Sequence, residues 1–389
     1  MINKKLGIAI LIIVFVLAGS LSYIFFAGGG SGKIPLPLIN YAPPSQNGTV
    51  PSVNPNEPKT EECPINGEML TKSQKNLWEI RRPLGVMIEN HKDARPQSGL
   101  SSADVVYEAV AEGGITRFLA IFYCKDAPYV GPVRSARVYF IQLLEGYGNN
   151  PLYAHVGGAN TPGDANALGK IDTLKWSLYN DLNQFAVPFP YYWRDYERLP
   201  GVVTEHTVYS ATAKLWQYAK DNRGLTNVDK KGIAWNTTFT PWKFQDDSAA
   251  SARGDVTKIS FGFWNTNADD YSVTWNYDAT TNSYARVNGG VPHLDKNTGK
   301  SLTAKDVVVI FTRESVVNDG YEGGQHLLYG VIGSGNGLLF QNGKSQTITW
   351  KKSTAESAMM FYNTSGSEVK LVRGEIFVEI LPIGNKVTY

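Results

Sequence analysis

The pattern of apolar and polar positions divides the chain into stretches of different period. Residues 6–27 read LGIAILIIVFVLAGSLSYIFFA, with no charged residue. As a helix this run would be about 33 Å long, enough to cross the hydrocarbon layer of a bilayer. Lys4 and Lys5 precede it, and positive charge stays on the cytoplasmic side. Residues 1–5 are therefore expected inside and everything after residue 27 outside. A cleaved signal peptide is the alternative, but such peptides have a shorter apolar core of roughly 7–15 residues. Residues 28–62 open with GGGSGK and continue through seven prolines from Pro35 to Pro58 with little to bury, the pattern of a flexible tether.

From residue 63 the pattern becomes that of a folded protein. PLGVMIEN and ITRFLAIFYC read as buried strands, while the stretches after Pro132, after Pro162 and from Thr207 have helical spacing. Pro132 and Pro162 suit first-turn positions, and Gly148, Gly169 and Gly224 suit positions just past helix ends. Residues 63–225 are thus expected to form a mixed α/β lobe. Residues 226–253 read as a connection. Residues 254–389 carry short β-branched runs such as VTKISFGFW, DVVVIF and EIFVEIL between Gly, Asn and Asp turns, and predict a mainly antiparallel β lobe. The fold class is α+β, with two different subdomains after a single transmembrane helix.

Composition narrows the function classes. A hydrophobic fraction of 42% excludes wholesale disorder, and a formal net charge of +2 lacks the broad basic footprint of a nucleic-acid binder. The two cysteines, Cys63 and Cys124, are in an exported protein most economically one disulfide. Two unpaired buried thiols are the alternative. Neither follows the apolar run closely enough for lipidation. No His-x-x-x-His pair, Gly-x-Ser-x-Gly elbow or P-loop occurs, so no metal and no cofactor is expected.

The densest polar constellation lies in DVVYEAVAEGGITRFLAIF, where Gly113-Gly114 between two apolar runs predicts a two-residue hairpin. That hairpin places Glu112 opposite Ile115 and Val110 opposite Arg117, so that Glu108, Glu112 and Arg117 share one face. In GPVRSARVYFIQLL, Gly131-Pro132 is expected to open a helix with Arg134 and Arg137 near its first turn. Cations at that end call for anionic partners: a ligand's phosphate or carboxylate, or Glu89, Glu108 and Glu112. His155, in LYAHVGGAN, follows a short strand and precedes a Gly-Gly turn. His206 and His293 also stand in unusual contexts, and Arg194, Asp195 and Arg198 add charge beside Tyr191, Tyr192 and Trp193.

The segments RPLGVMIENHKDARPQSGLSSADVVYEAVAEGGITRFLAIF, VGPVRSARVYF, LYAHVGGAN and YARVNGGVPHLDKNTGKSLTAKDVVVIF together resemble the YerB-like family of bacterial envelope proteins, built on a domain of unknown function. The resemblance implies two different α+β subdomains and an extracytoplasmic place. Many members are lipoproteins, from which this chain departs by its apolar run and its lack of a lipidation cysteine. The resemblance carries over no catalytic residue, but Glu89, Asn90, Arg95, Gln97, Glu108, Glu112, Arg117, Arg134, Arg137 and His155 lie in its most recognisable motifs.

These readings predict a membrane-held envelope protein. In one version it binds an anionic ligand, a wall glycan or peptide carboxylate, using Glu89, Asn90, Arg95, Arg117, Arg134, Arg137, His155, Arg194 and His206. In a second it is a hydrolase or transferase on envelope polymers, with Glu108 or Glu112 as acid or base and His155 assisting. In a third its β lobe docks other envelope proteins.

Overall fold

The computed structural model describes residues 56–321 and 325–389. The apolar segment 6–27 and the tether up to residue 55 lie outside them. Among the described residues no helix is long and apolar enough to cross a membrane. Among these residues strands predominate, and the helices are few and short.

The largest sheet among the described residues has ten strands. In chain order they are β1 (Leu84–Glu89), β2 (Val105–Glu112), β3 (Ile115–Phe122), β4 (Leu152–His155), β5 (Asp181–Asn183), β6 (Asp306–Thr312), β7 (Gly333–Gln341), β8 (Lys344–Lys352), β9 (Met360–Asn363) and β10 (Ile376–Pro382). Their spatial order is β9-β8-β7-β6-β10-β2-β3-β1-β4-β5. β10 lies parallel to both β6 and β2, and β1, β4 and β5 are mutually parallel, whereas β3 runs antiparallel to β2 and β1. All six residues of β1 are buried, as the continuous apolar run of a strand covered on both faces requires.

This topology corrects the division into two lobes. Strands from both halves of the sequence share one sheet, joined where β10 pairs with β2. Residues 226–253 are more than a connection, since Lys243–Gln245 pairs in parallel with Lys370–Val372. The folded part also begins before residue 63, because Lys59–Glu62 pairs with Met69–Thr71. Backbone N–H and C=O groups at these positions find partners in strands, so the chain there is held rather than loose. The disulfide between Cys63 and Cys124 is formed.

The Gly113-Gly114 hairpin forms, but not in the expected register. Glu112 faces Ile115, Val110 faces Thr116 and Ala109 faces Arg117, so Ala111 is an extra residue in a β-bulge. Because side chains alternate, this one-residue insertion sends Glu108 to one face of the sheet and Glu112 with Arg117 to the other. The expectation that all three share a face is thereby overturned.

The Glu112 face is covered by helix α1 (Val138–Leu144). A methyl group at Gly85 would come within 2.8 Å of Leu144 Cδ1, so the glycine lets the helix approach β1. The Glu108 face is covered by a second, six-stranded sheet that includes Lys258–Phe261, Val273–Asp278 and Ser283–Asn288. Trp275 of that sheet meets Phe377 of β10 with ring centroids 4.8 Å apart.

Candidate functional site

At the carboxyl ends of β1 and β4 the two parallel strands are prised apart by residues 131–136. Glu89 N–H donates to Pro132 O and Arg134 N–H to Met87 O on one side; Val156 N–H donates to Arg134 O and Ala136 N–H to Gly157 O on the other. Gly131-Pro132 therefore opens no helix, because the backbone groups that follow are consumed by the two splayed strands. The helix starts later, at Val138, with Arg137 as its N-cap in extended conformation. Pro162 likewise lies outside a helix, Gly169 lies inside the helix Ala167–Thr173, and Gly148 lies beyond the C-cap Glu145. Gly224 does cap a helical segment in the left-handed region. A crevice beyond the carboxyl ends of diverging strands is where open α/β sheets place ligands.

Six of the expected residues gather here. Arg117 Nη2 donates to Glu112 Oε1 at 3.0 Å and Arg137 Nη2 to Glu112 Oε2 at 2.7 Å. Burial pushes the Glu112 carboxyl up, but Arg117 and Arg137 beside it outweigh burial and hold it at about 2. A carboxyl so acidic carries no proton to donate near neutral pH, which removes Glu112 as a general acid. Arg134 reaches Glu89 Oε1 at 3.2 Å and Glu205 Oε1 at 3.7 Å. His206 Nδ1 lies 2.8 Å from Glu89 Oε2, and this hydrogen bond raises the His206 pKa against the opposing effect of burial.

The balance of charge here is close, but the hydrogen-bonding capacity is not used up. The Nε–H groups of Arg117, Arg134 and Arg137 are buried and make no hydrogen bond; Arg134 Nε meets Glu89 out of line. Solvent reaches this end of the sheet at Glu112, 31% exposed, and Glu205, 56% exposed.

On the other face a second cluster is fully enclosed. Arg286 donates to Glu108 through Nη2 and to Glu379 Oε1 through Nη1 at 3.2 Å, and Trp275 Nε1 donates to the same Glu379 oxygen at 3.0 Å. Burial, then the neighbouring Glu108 carboxylate, push the Glu379 pKa well up, with Arg286 opposing. Arg286 Nε donates to His293 Nδ1 at 3.0 Å and His293 Nε2 to Gln97 Oε1 at 2.7 Å, so this ring is neutral; burial and Arg286 hold its pKa well down. Glu108 also accepts from Thr116 and, at 3.1 Å, from Asn90 Nδ2.

Five expected site residues are thereby reassigned. Glu108 and Asn90 belong to the enclosed cluster and meet no solvent. Arg95 ties Asn90 to the Asp270 carbonyl and lies over the Tyr271 ring, joining the two sheets. His155 is fully buried, its Nδ1 2.6 Å from Gly157 O and its Nε2 2.6 Å from Asp181 Oδ1, so it pins the Gly157 turn to β5 and offers no free nitrogen. Arg194 braces the Thr204–His206 turn through the Thr204 carbonyl and Thr207. Arg286, Glu379 and Glu205 escaped sequence reading, although a glutamate inside the apolar run EIFVEIL was a visible sign that a cation would face it.

Comparison with known proteins agrees with this architecture. The chain matches the N-terminal domain of the protein family of unknown function DUF3048 over residues 70–226 and its C-terminal domain over residues 261–378. It is 31% identical to a Bacillus subtilis (strain 168) protein, YerB, over 330 residues, 84% of this chain and 88% of that one; the name given to that relative includes the word lipoprotein. The crystal structure of Bacillus subtilis YerB superposes with a TM-score of 0.66 at 27% identity, covering 85% of this chain and all of that one.

Proposed function

The chain belongs to the YerB-like DUF3048 family, and from that premise we propose that it is a membrane-held, extracytoplasmic binding protein for an anionic group of an envelope polymer, a wall-glycan or peptide carboxylate. The observation that carries the reading is the pair of buried Nε–H groups of Arg117 and Arg137 that make no hydrogen bond, with the Arg134 guanidinium beside them and solvent reaching Glu112 and Glu205 at the edge. Guanidinium donors in such an enclosure favour carboxylate and phosphate oxygens, whose charge-assisted bonds are the strong ones.

Arg134 is the entry point. Its contact with Glu205 is long and exposed, the kind of pair that contributes little and that an incoming anion displaces. Arg117 and Arg137, locked on Glu112, supply the fixed positive wall behind it. The outward location is supported by the Cys63–Cys124 disulfide, a bond that persists in oxidising compartments, and by the lipoprotein name of the relative. The apolar run of residues 6–27 takes the place of a lipid as the anchor.

The test is binding of the full chain in detergent to purified wall fragments. The Arg134→Ala protein is expected to bind at least about tenfold more weakly, the loss of one charged hydrogen bond, and binding of the parent is expected to weaken with salt. Unchanged binding by a folded Arg134→Ala protein would overturn the reading.

A further inference from the structure

Beside the arginine crevice, among the described residues, His91, Asp93 and His206 bring one ligating atom each to within 4.8 Å of one another. His206 stands on the turn before the strand Val208–Ser210, while His91 and Asp93 frame the turn that leaves β1. The two imidazoles stack, centroids 4.9 Å apart and planes 16° from parallel, and His91 Nδ1 lies 3.7 Å from Asp93 Oδ2.

We propose that these three side chains form a site for a borderline divalent transition metal such as Zn2+. The independent support is the hydrogen bond from His206 Nδ1 to Glu89. A histidine that donates one ring N–H to a carboxylate is fixed in rotation and tautomer, with its lone pair on Nε2, and this carboxylate–histidine pairing is what metal-ligating histidines carry behind them. Glu89 is itself almost wholly buried and its backbone N–H is fixed on Pro132 O, so its carboxylate stands in place behind His206.

The donor set selects the ion. Two imidazoles and one carboxylate suit Zn2+ and its neighbours better than Mg2+ or Ca2+, which prefer all-oxygen cages. Three protein ligands leave a fourth position open, on the solvent side where Asp93 is 59% exposed. Ligands about 2.0–2.2 Å from a tetrahedral ion sit about 3.3–3.6 Å apart, so donors that now lie within 4.8 Å of one another must close by up to about 1.5 Å. His91 and Asp93 lie on a short surface turn, where a rotamer change makes that adjustment; His206 is already fixed. Lys92 is turned away onto Asp270, leaving no ammonium among the donors. None of the three ligands is an arginine, so metal uptake is tested separately from anion binding, although Glu89 and His206 border both sites.

The test uses the full chain in detergent, stripped with a chelator and titrated with Co2+ followed by Zn2+. One Co2+ per chain with visible d–d absorption, displaced by one equivalent of Zn2+, is expected. His91→Ala is expected to abolish uptake, and Glu89→Gln, which keeps the donors but weakens the support behind His206, to lower Zn2+ affinity about 10–100-fold. Circular dichroism checks that each variant is folded. Absence of the Co2+ absorption, or uptake that survives in the His91→Ala, Asp93→Asn double variant, would overturn the proposal.

Discussion

The two faces of the central sheet carry clusters built from the same residue types, and they do different things. On one face Arg286 holds Glu108 and Glu379 in a fully enclosed network; on the other Arg117 and Arg137 hold Glu112 at a rim that water reaches. The enclosed network binds the second sheet to the first and gives up access to solvent. The open one keeps the Nε–H groups of Arg117 and Arg137 without a hydrogen bond close to solvent-reached Glu112. What separates them is surroundings rather than composition, so an Arg–Glu pair read in isolation says nothing about which role it plays.

The largest expected effect comes from breaking the enclosed face. Arg286→Ala leaves two buried carboxyl groups beside each other without their cation, and urea unfolding is expected to show a loss of about 3–5 kcal/mol. Binding at the open face should fall only in proportion to the unfolded fraction.

Glu112→Gln comes next. A carboxyl moved from 4.5 to about 2 contributes roughly 3 kcal/mol, present above pH 4.5 and lost as pH falls towards 2. Stability at neutral pH is therefore expected to drop by about 2–3 kcal/mol, and the difference between parent and variant to vanish in acid. Comparing the two proteins matters because burial raises Asp104, under the disulfide, to about 6, so that its contribution falls as pH rises and runs in the opposite sense. A parent–variant difference that stayed constant from pH 5 to pH 2.5 would mean that the Glu112 pair is not the source.

The smallest effect sharpens the comparison from the rim. Glu205→Gln should leave stability unchanged within about 0.5 kcal/mol, since the pair it removes is exposed and long. It should instead tighten wall-fragment binding by freeing Arg134, measured by co-sedimentation at low salt.

Particular residues show how far the sequence could be read. The Gly113-Gly114 hairpin, the buried strands β1 and β3 and the Cys63–Cys124 pairing were all legible, because each rests on a local rule: turn chemistry, apolar runs, or a count of two cysteines in an exported chain. The helix expected after Pro132 begins only at Val138, because the wedge between β1 and β4 claims the backbone first. Glu108 and Glu112 were separated by a bulge that no pattern of residue types announced. His155 had the context of a site residue and turned out to be a clasp.

The sequence by itself determined where the Gly113-Gly114 hairpin turns, which segments are apolar enough for buried strands, and which charged residues had to find partners, since periodicity and turn preference are properties of a few neighbouring residues. Only the tertiary structure decided which partners they found. Pairing β10 with β2 merges the two halves into one sheet, the bulge at Ala111 assigns each glutamate a face, and residues as distant in sequence as Glu108 and Arg286, 178 positions apart, meet across the packed sheets. Burial then sets whether such a pair braces the fold or is left within reach of a ligand, and burial is a property of the packed molecule.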